Sequence, residues 1–181
     1  MGKVSKIYFT ADCHFGHANI IEFTDTRKFK DVDEMNEELI RRWNSVVHKD
    51  DLVYHVGDFA FRSSNSASVW ESKLNGTITH IQGNHDHNNG VKTYIVKAIM
   101  HFGGKSIYVE HRPPHKPEEI PYGVDFVICG HVHDKYKHKW VGNIPVINVG
   151  VDVWGLQPVS ADNVLKYYRK IIKEKKGNEK N

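Results

Sequence analysis

The chain reads as a layered α/β domain, on three observations. Short apolar runs alternate with longer segments that carry apolar residues at helical spacing. At least four of the apolar runs end directly in polar motifs, as in open sheets that bind ligands beyond the carboxyl ends of their strands. With 181 residues, 39% hydrophobic and 26% charged, the chain has the length of one ordinary domain and enough apolar material for a core.

Each element follows from its local pattern. Residues 6–11 read as a buried first strand ending at Asp12. Over residues 32–47, Met35, Leu39, Ile40, Trp43 and Val46 or Val47 recur at helical spacing. Acidic residues come early there and Arg41 and Arg42 late, as the helix dipole favours. Residues 52–56 form a second strand delivering Gly57-Asp58, residues 66–74 a short helix, and residues 77–82 a third strand delivering Gly83-Asn84-His85-Asp86. Residues 94–102 fit strand and helix equally, whereas residues 105–110 alternate as a strand that presents His111. Pro113, Pro114, Pro117 and Pro121 predict a loop. Residues 125–129 read as a buried strand ending at Gly130-His131, and residues 144–149 as a late strand. Ser160 caps a last helix whose Val164, Leu165, Tyr168, Ile171 and Ile172 face the core. Residues 1–172 are expected to be one domain and residues 173–181 a basic, frayed tail.

Composition narrows the classes of function. The formal charge is +3, but the last nine residues hold four Lys against two Glu, so the body carries only +1. Bulk charge therefore gives no support to a nucleic-acid groove. No apolar run approaches the ~20 residues of a membrane span. Ile7-Tyr8-Phe9-Thr10 is too short for a secretory signal, which leaves a cytoplasmic location as the expectation. Two cysteines, Cys13 and Cys129, are too few for a disulfide framework and suit a reducing compartment.

The chemistry lies in five motifs: Asp12-Cys13-His14, Gly57-Asp58, Gly83-Asn84-His85-Asp86, the lone His111, and Gly130-His131-Val132-His133. In an extended segment Asp12 and His14 point one way and Cys13 the other, and His131 and His133 likewise flank Val132. Carboxylate and imidazole without thiolate suit Mn, Fe, Zn, Ni or Co rather than Ca. The donors suffice for two ions, and a pair of bridged divalent cations is a reaction centre for phosphate ester hydrolysis.

Taken in order, from Asp12 through His133, the five motifs resemble those of the calcineurin-like metallophosphoesterases, in particular the small single-domain bacterial and phage type. The resemblance implies a four-layer α/β/β/α sandwich of two mixed sheets flanked by helices. It also implies a dinuclear centre: Asp12, His14 and His133 on one ion, Asn84, His111 and His131 on the other, and Asp58 bridging. Mn is the first expectation for both ions. The implied activity is a metal-dependent phosphohydrolase, in the first place a phosphodiesterase, with a metal-bridging hydroxide attacking in line. Two divalent ions, offset by two carboxylates and that hydroxide, leave about one positive charge to attract a phosphate. In the family, the position of His85 lies near the leaving group, which suits a general acid or a stabiliser of developing charge. Asp86 resembles the partner that orients such a histidine and supports its charged form.

Other residues carry two readings. His17 either contacts the scissile phosphate or belongs to a turn or helix start. Arg112 offers a guanidinium to a phosphate oxygen, though arginines beside proline-rich loops are commonly solvated. His55, His80 and His87 read as structural, and Asp152 and Trp154 follow a late strand from which they either line the pocket or, as is commoner for Trp, join the core. The expected partner is a phosphate ester, either a small molecule or a nucleotide, and the oligomeric state is open. The alternative functions are a nuclease or nucleotide hydrolase, a phosphomonoesterase, and a non-catalytic scaffold similar to the phosphoesterase-like subunit of the retromer coat. The intact Asn84-His85-Asp86 argues against the scaffold.

Overall fold

A computed structural model describes residues 4–61, 65–93 and 95–178. Its first sheet contains β1 (Ile7–Thr10), β2 (Leu52–Val56), β3 (Thr77–Ile81) and β9 (Val159–Ser160) in the order β3-β2-β1-β9. Its second contains β4 (Lys97–Phe102), β5 (Lys105–Glu110), β6 (Phe126–Cys129), β7 (His138–Val141) and β8 (Ile144–Asn148) in the order β4-β5-β6-β8-β7. Both sheets are mixed: β1, β2 and β3 run parallel, as do β5, β6 and β8, while β9, β4 and β7 pair antiparallel. The helices are α1 (Ile20–Phe23), α2 (Val32–Val46), α3 (Ala67–Glu71) and α4 (Ala161–Asn178). The architecture is thus two mixed sheets flanked by helices.

Alternation along the strands divides the core into layers. Tyr8 and Val53 pack with Met35, Leu39 and Trp43 of α2 and Trp70 of α3. Their strand neighbours Phe9 and Val56, with Ile81, instead meet Ile107, Val109, Phe126, Ile128 and Ile147 of the second sheet, and Val164, Leu165 and Tyr168 of α4 join them. The opposite face of the second sheet, with Tyr108, Val127, Cys129 and Val146, is covered by Ile120 and Val124 from the proline-rich segment. Each large side chain so buried contributes about 1.5–3 kcal/mol.

The layers bring the carboxyl ends of six parallel strands to one edge. Ala11, just past β1, bridges Gly150, just past β8, and so joins the two sheets there. Asp12, Asp58, Asn84, His111 and His131 all lie within three residues after β1, β2, β3, β5 and β6 respectively.

Several local expectations change. The ambiguous residues 97–102 are the strand β4, because Gly103 and Gly104, both with positive φ (56° and 72°), make the tight turn that pairs β4 with β5. Tyr94 lies outside the described residues. Residues 173–178, expected to fray, continue α4. Lys175 stays on the body: its Nζ lies 4.1 Å above the Trp140 ring and donates to Asn143 Oδ1 at 3.0 Å. The stem of a lysine can cover apolar surface while its head stays wet, so basic charge did not end the helix. Residues 179–181 lie outside the described residues. Among the described residues, no helix is long and apolar enough to cross a membrane.

Candidate metal centre

Strained backbone marks the site. Among the described residues six non-glycine residues have positive φ, and five of them are Asp12 (58°), His14 (51°), Asp58 (59°), His131 (72°) and His133 (48°). Such conformations cost about 1–3 kcal/mol each and persist only where their surroundings impose them. Asp12 and His14 therefore converge through left-handed kinks, and the extended alternation expected for them and for His131 and His133 does not hold. Cys13 does point away, into the cluster under α2. The kinked segment is held against its neighbour by Asp12 N to Gly57 O at 3.0 Å, His14 N to Asp58 O at 3.1 Å and Phe15 N to Phe59 O at 2.9 Å.

The glycines of the motifs permit close approach. A Cβ on Gly57 would stand 2.3 Å from His111 Nδ1, and one on Gly83 would stand 2.3 Å from the Asp58 nitrogen. No larger residue fits between these loops.

All seven expected ligands come together. The donor atoms of Asp12, His14 and His133 lie within 4.8 Å of one another, and those of Asp58, His111 and His131 form a second such group. Asn84 joins the second group, its Oδ1 lying 3.1 Å from His111 Nε2. Asp58 Oδ2 stands between the groups, 3.2 Å from His111 Nε2 and 3.7 Å from His14 Nε2. The donor set also fits divalent ions on a separate count: His14 is 2% exposed, yet neither ring nitrogen has a hydrogen-bond partner. A buried polar group without a partner is costly, and coordination of a cation would supply one.

Without metal, the ionisable groups balance one another. Burial pushes the Asp12 carboxyl up to about 6, partly offset by the charges of His111 and His133. Burial also opposes charge on Asp58, but the His111 hydrogen bond and the His111 and His14 charges hold it well below the usual carboxylate range. His111, whose burial disfavours charge, is nevertheless raised to about 9 by the Asp58 hydrogen bond and the Asp12 and Asp58 carboxylates. His111 Nδ1 donates to Val56 O at 2.8 Å, which directs Nε2 toward Asp58 and Asn84. Burial lowers His14 well below the ordinary histidine value and brings His131 to about 4, which leaves both as neutral donors.

The surrounding residues divide between framework and rim. Asp86 does not orient His85. Fully buried, its carboxylate accepts from Asp58 N at 3.0 Å, Phe59 N at 2.9 Å and Gly83 N at 2.7 Å, and so ties two ligand loops together. His85 stays at the opening, its side chain 39% exposed and Nε2 3.9 Å from Asp58 Oδ2. Phe61 packs on it at 4.5 Å between ring centroids and on His17 at 4.3 Å. His17 sits in a turn and faces the site, 5.4 Å from the His14 ring. Arg112 is exposed and lines a cavity of about 410 Å³ together with Asn84, His111, His87, Gln82 and Lys97. His80 bonds Glu71 at 2.9 Å, and His55 is buried and stacks on Trp43 of α2.

Arg27, which no motif announced, lies wholly buried behind the site and pairs with Asp152, which in turn accepts from His133 Nδ1 at 3.0 Å. Asp152 therefore backs a ligand rather than lining the pocket. A lone arginine in a polar loop carries no sequence signal of burial; only the fold brings residues 27 and 152 together.

Two mixed sheets with these donors at their joined carboxyl edge have the architecture of the metallophosphoesterase fold. Residues 6–160 match the calcineurin-like phosphoesterase superfamily domain, and the chain belongs to that superfamily. The uncharacterized protein MJ1445 of Methanocaldococcus jannaschii is 35% identical over 176 residues, covering 93% of this chain and 94% of that protein. The gene 66 protein of Mycobacterium phage L5 is 37% identical over 86 residues, 46% of this chain and 41% of its own length. The crystal structure of Aquifex aeolicus AQ665 superposes with a TM-score of 0.68 at 25% identity, covering 91% of this chain and all of that one.

Proposed function

We propose that the protein is a metal-dependent phosphohydrolase that acts on phosphodiesters. The observation that carries this reading is the convergence of seven oxygen and nitrogen donors, among them the buried His14 ring, whose nitrogens have no hydrogen-bond partner. Asp12, His14 and His133 would hold one divalent ion, Asn84, His111 and His131 the other, and Asp58 both. Carboxylate, amide and imidazole together suit Mn, Fe, Zn, Ni or Co, of which Mn is the ion proposed. Bound there, the pair would supply Lewis-acid polarisation of a phosphoryl oxygen and activation of water.

The chain's own residues supply the rest. His85, on the open side of Asp58, would protonate a leaving oxygen. His17 and Phe61 wall that side. The cavity beside Asn84 and His111 gives room for a second ester substituent, which favours a diester, and Arg112 at its edge offers a guanidinium to a phosphate oxygen. Buried, unpaired Cys13 and Cys129 suit action in the cytoplasm.

Hydrolysis of aryl mono- and diesters across a panel of metals tests the reading. The expected result is diester hydrolysis with Mn²⁺, abolished in Asp58→Asn; full activity in metal-stripped protein would refute it. A second reading, a nucleotide hydrolase or nuclease, draws on Phe61 and the exposed Phe23 beside His17, rings on which a base can stack. Short single-stranded oligonucleotides should then compete with the aryl diester, and absence of competition at any salt rejects it.

A further inference from the structure

We infer that Arg27 and Asp152 form a buried clamp that positions one half of the centre, Asp12, His14 and His133, and leaves the other half to different supports. The inference rests on the proposed function in that the three residues are taken as ligands of one ion.

The geometry is that of a completed network. Arg27 meets Asp152 with two parallel hydrogen bonds, Nε to Oδ1 at 2.8 Å and Nη2 to Oδ2 at 2.9 Å. The same guanidinium donates to the carbonyls of Cys13 (Nη1, 3.0 Å) and Asp12 (Nη2, 2.5 Å). Those carbonyls belong to the segment whose left-handed φ values, 58° at Asp12 and 51° at His14, turn both side chains into the site. Asp152 Oδ1 also accepts from Thr26 Oγ1 at 2.9 Å, and Oδ2 accepts from His133 Nδ1 at 3.0 Å. That last bond commits the His133 proton to Nδ1 and presents Nε2 as the lone-pair donor.

One buried guanidinium thus holds the carbonyls of Asp12 and Cys13, the peptide units that lead into His14, and reaches His133 through a carboxylate. Planarity matters here: Arg can fork to a carboxylate and still reach two carbonyls, while Lys offers a point charge. The second half is supported mainly otherwise; across the boundary the His131 amide donates to the Asp12 carboxylate, at 3.0 Å to Oδ1 and 2.9 Å to Oδ2. His111 Nδ1 donates to the neutral carbonyl of Val56, and the Asp58 and Gly83 loops are tied by Asp86. Damage to the clamp should therefore reach one ion position and spare the other.

Mn²⁺ binding, followed by calorimetry and electron paramagnetic resonance on the full chain, tests this. Wild type is expected to bind two ions and show an exchange-coupled spectrum. Arg27→Lys and Asp152→Asn should lose ~10–100-fold affinity at one position only. At concentrations that fill both positions in wild type, they should show an isolated-ion spectrum, as should His133→Ala. Folded variants with both affinities intact overturn the clamp but leave the proposed function standing; wild type that binds fewer than two ions overturns both. Should either variant fail to fold, metal-free wild type decides through long-range ¹H–¹⁵N spectra above the histidine titration. The Nδ1–H tautomer at His133 is expected, and the Nε2–H tautomer overturns the inference.

Discussion

Asp86 accepts three backbone amides in a fully buried position, so its removal strips three donors at once. Each orphaned donor costs about 1–3 kcal/mol. Asp86→Ala is therefore expected to lose about 3 kcal/mol or more in urea denaturation of the metal-free protein, and a loss below about 1 kcal/mol would contradict the tie. His85→Ala should instead melt like wild type and keep its metal content while turnover falls ~10²–10⁴-fold. Loss of metal in that variant would make His85 a ligand. That these seven donor residues come together was legible in the sequence because most of them follow an apolar run closely, several behind a glycine that no larger residue can replace. Asp86 was misread because the resemblance suggested a side-chain partner in His85, whereas its partners are amides, two of them more than twenty residues away. Arg27 was missed for the same kind of reason, its partners lying 14, 15 and 125 positions off.

Helix α2 shows what periodicity can and cannot reveal. Asp31 caps it by accepting from Glu34 N at 2.9 Å, and Met35, Leu39 and Trp43 are buried at the spacing that announced them. Trp43, 1% exposed, also donates Nε1 to Asn75 O at 2.9 Å. Trp43→Ala should cost about 3–5 kcal/mol in a denaturation midpoint analysis, and leave the metal stoichiometry of the folded fraction unchanged. The strands β7 and β9 were not legible. β7 is an edge strand with three of its four residues only partly buried, and β9 has two residues, so neither writes a period into the sequence. The end of α4 escaped detection because its lysines look like a solvated tail until Trp140 lies under Lys175.

At the scale of the whole molecule, the metal-free centre links stability to pH. His111 has its folded pKa raised to about 9 from 6.5, so the stability it contributes is fully present below pH 6.5 and is lost as pH rises through 9. Asp12, raised to about 6 from 3.8, acts in the same direction over a lower window: its buried carboxyl is tolerated when protonated and becomes destabilising as pH rises from 3.8 through 6. The metal-free protein should therefore melt at progressively lower temperature between pH 6.5 and 9. The metal-loaded protein should lack that decline, because coordination displaces the His111 proton. Parallel pH profiles for the two forms would contradict this account. The most direct measurement is a Mn²⁺ titration of stripped protein, with aryl phosphodiester hydrolysis read at each addition. Activity that rises only as the second equivalent binds is the predicted result; activity without metal, or complete at one equivalent, would contradict the two-ion centre.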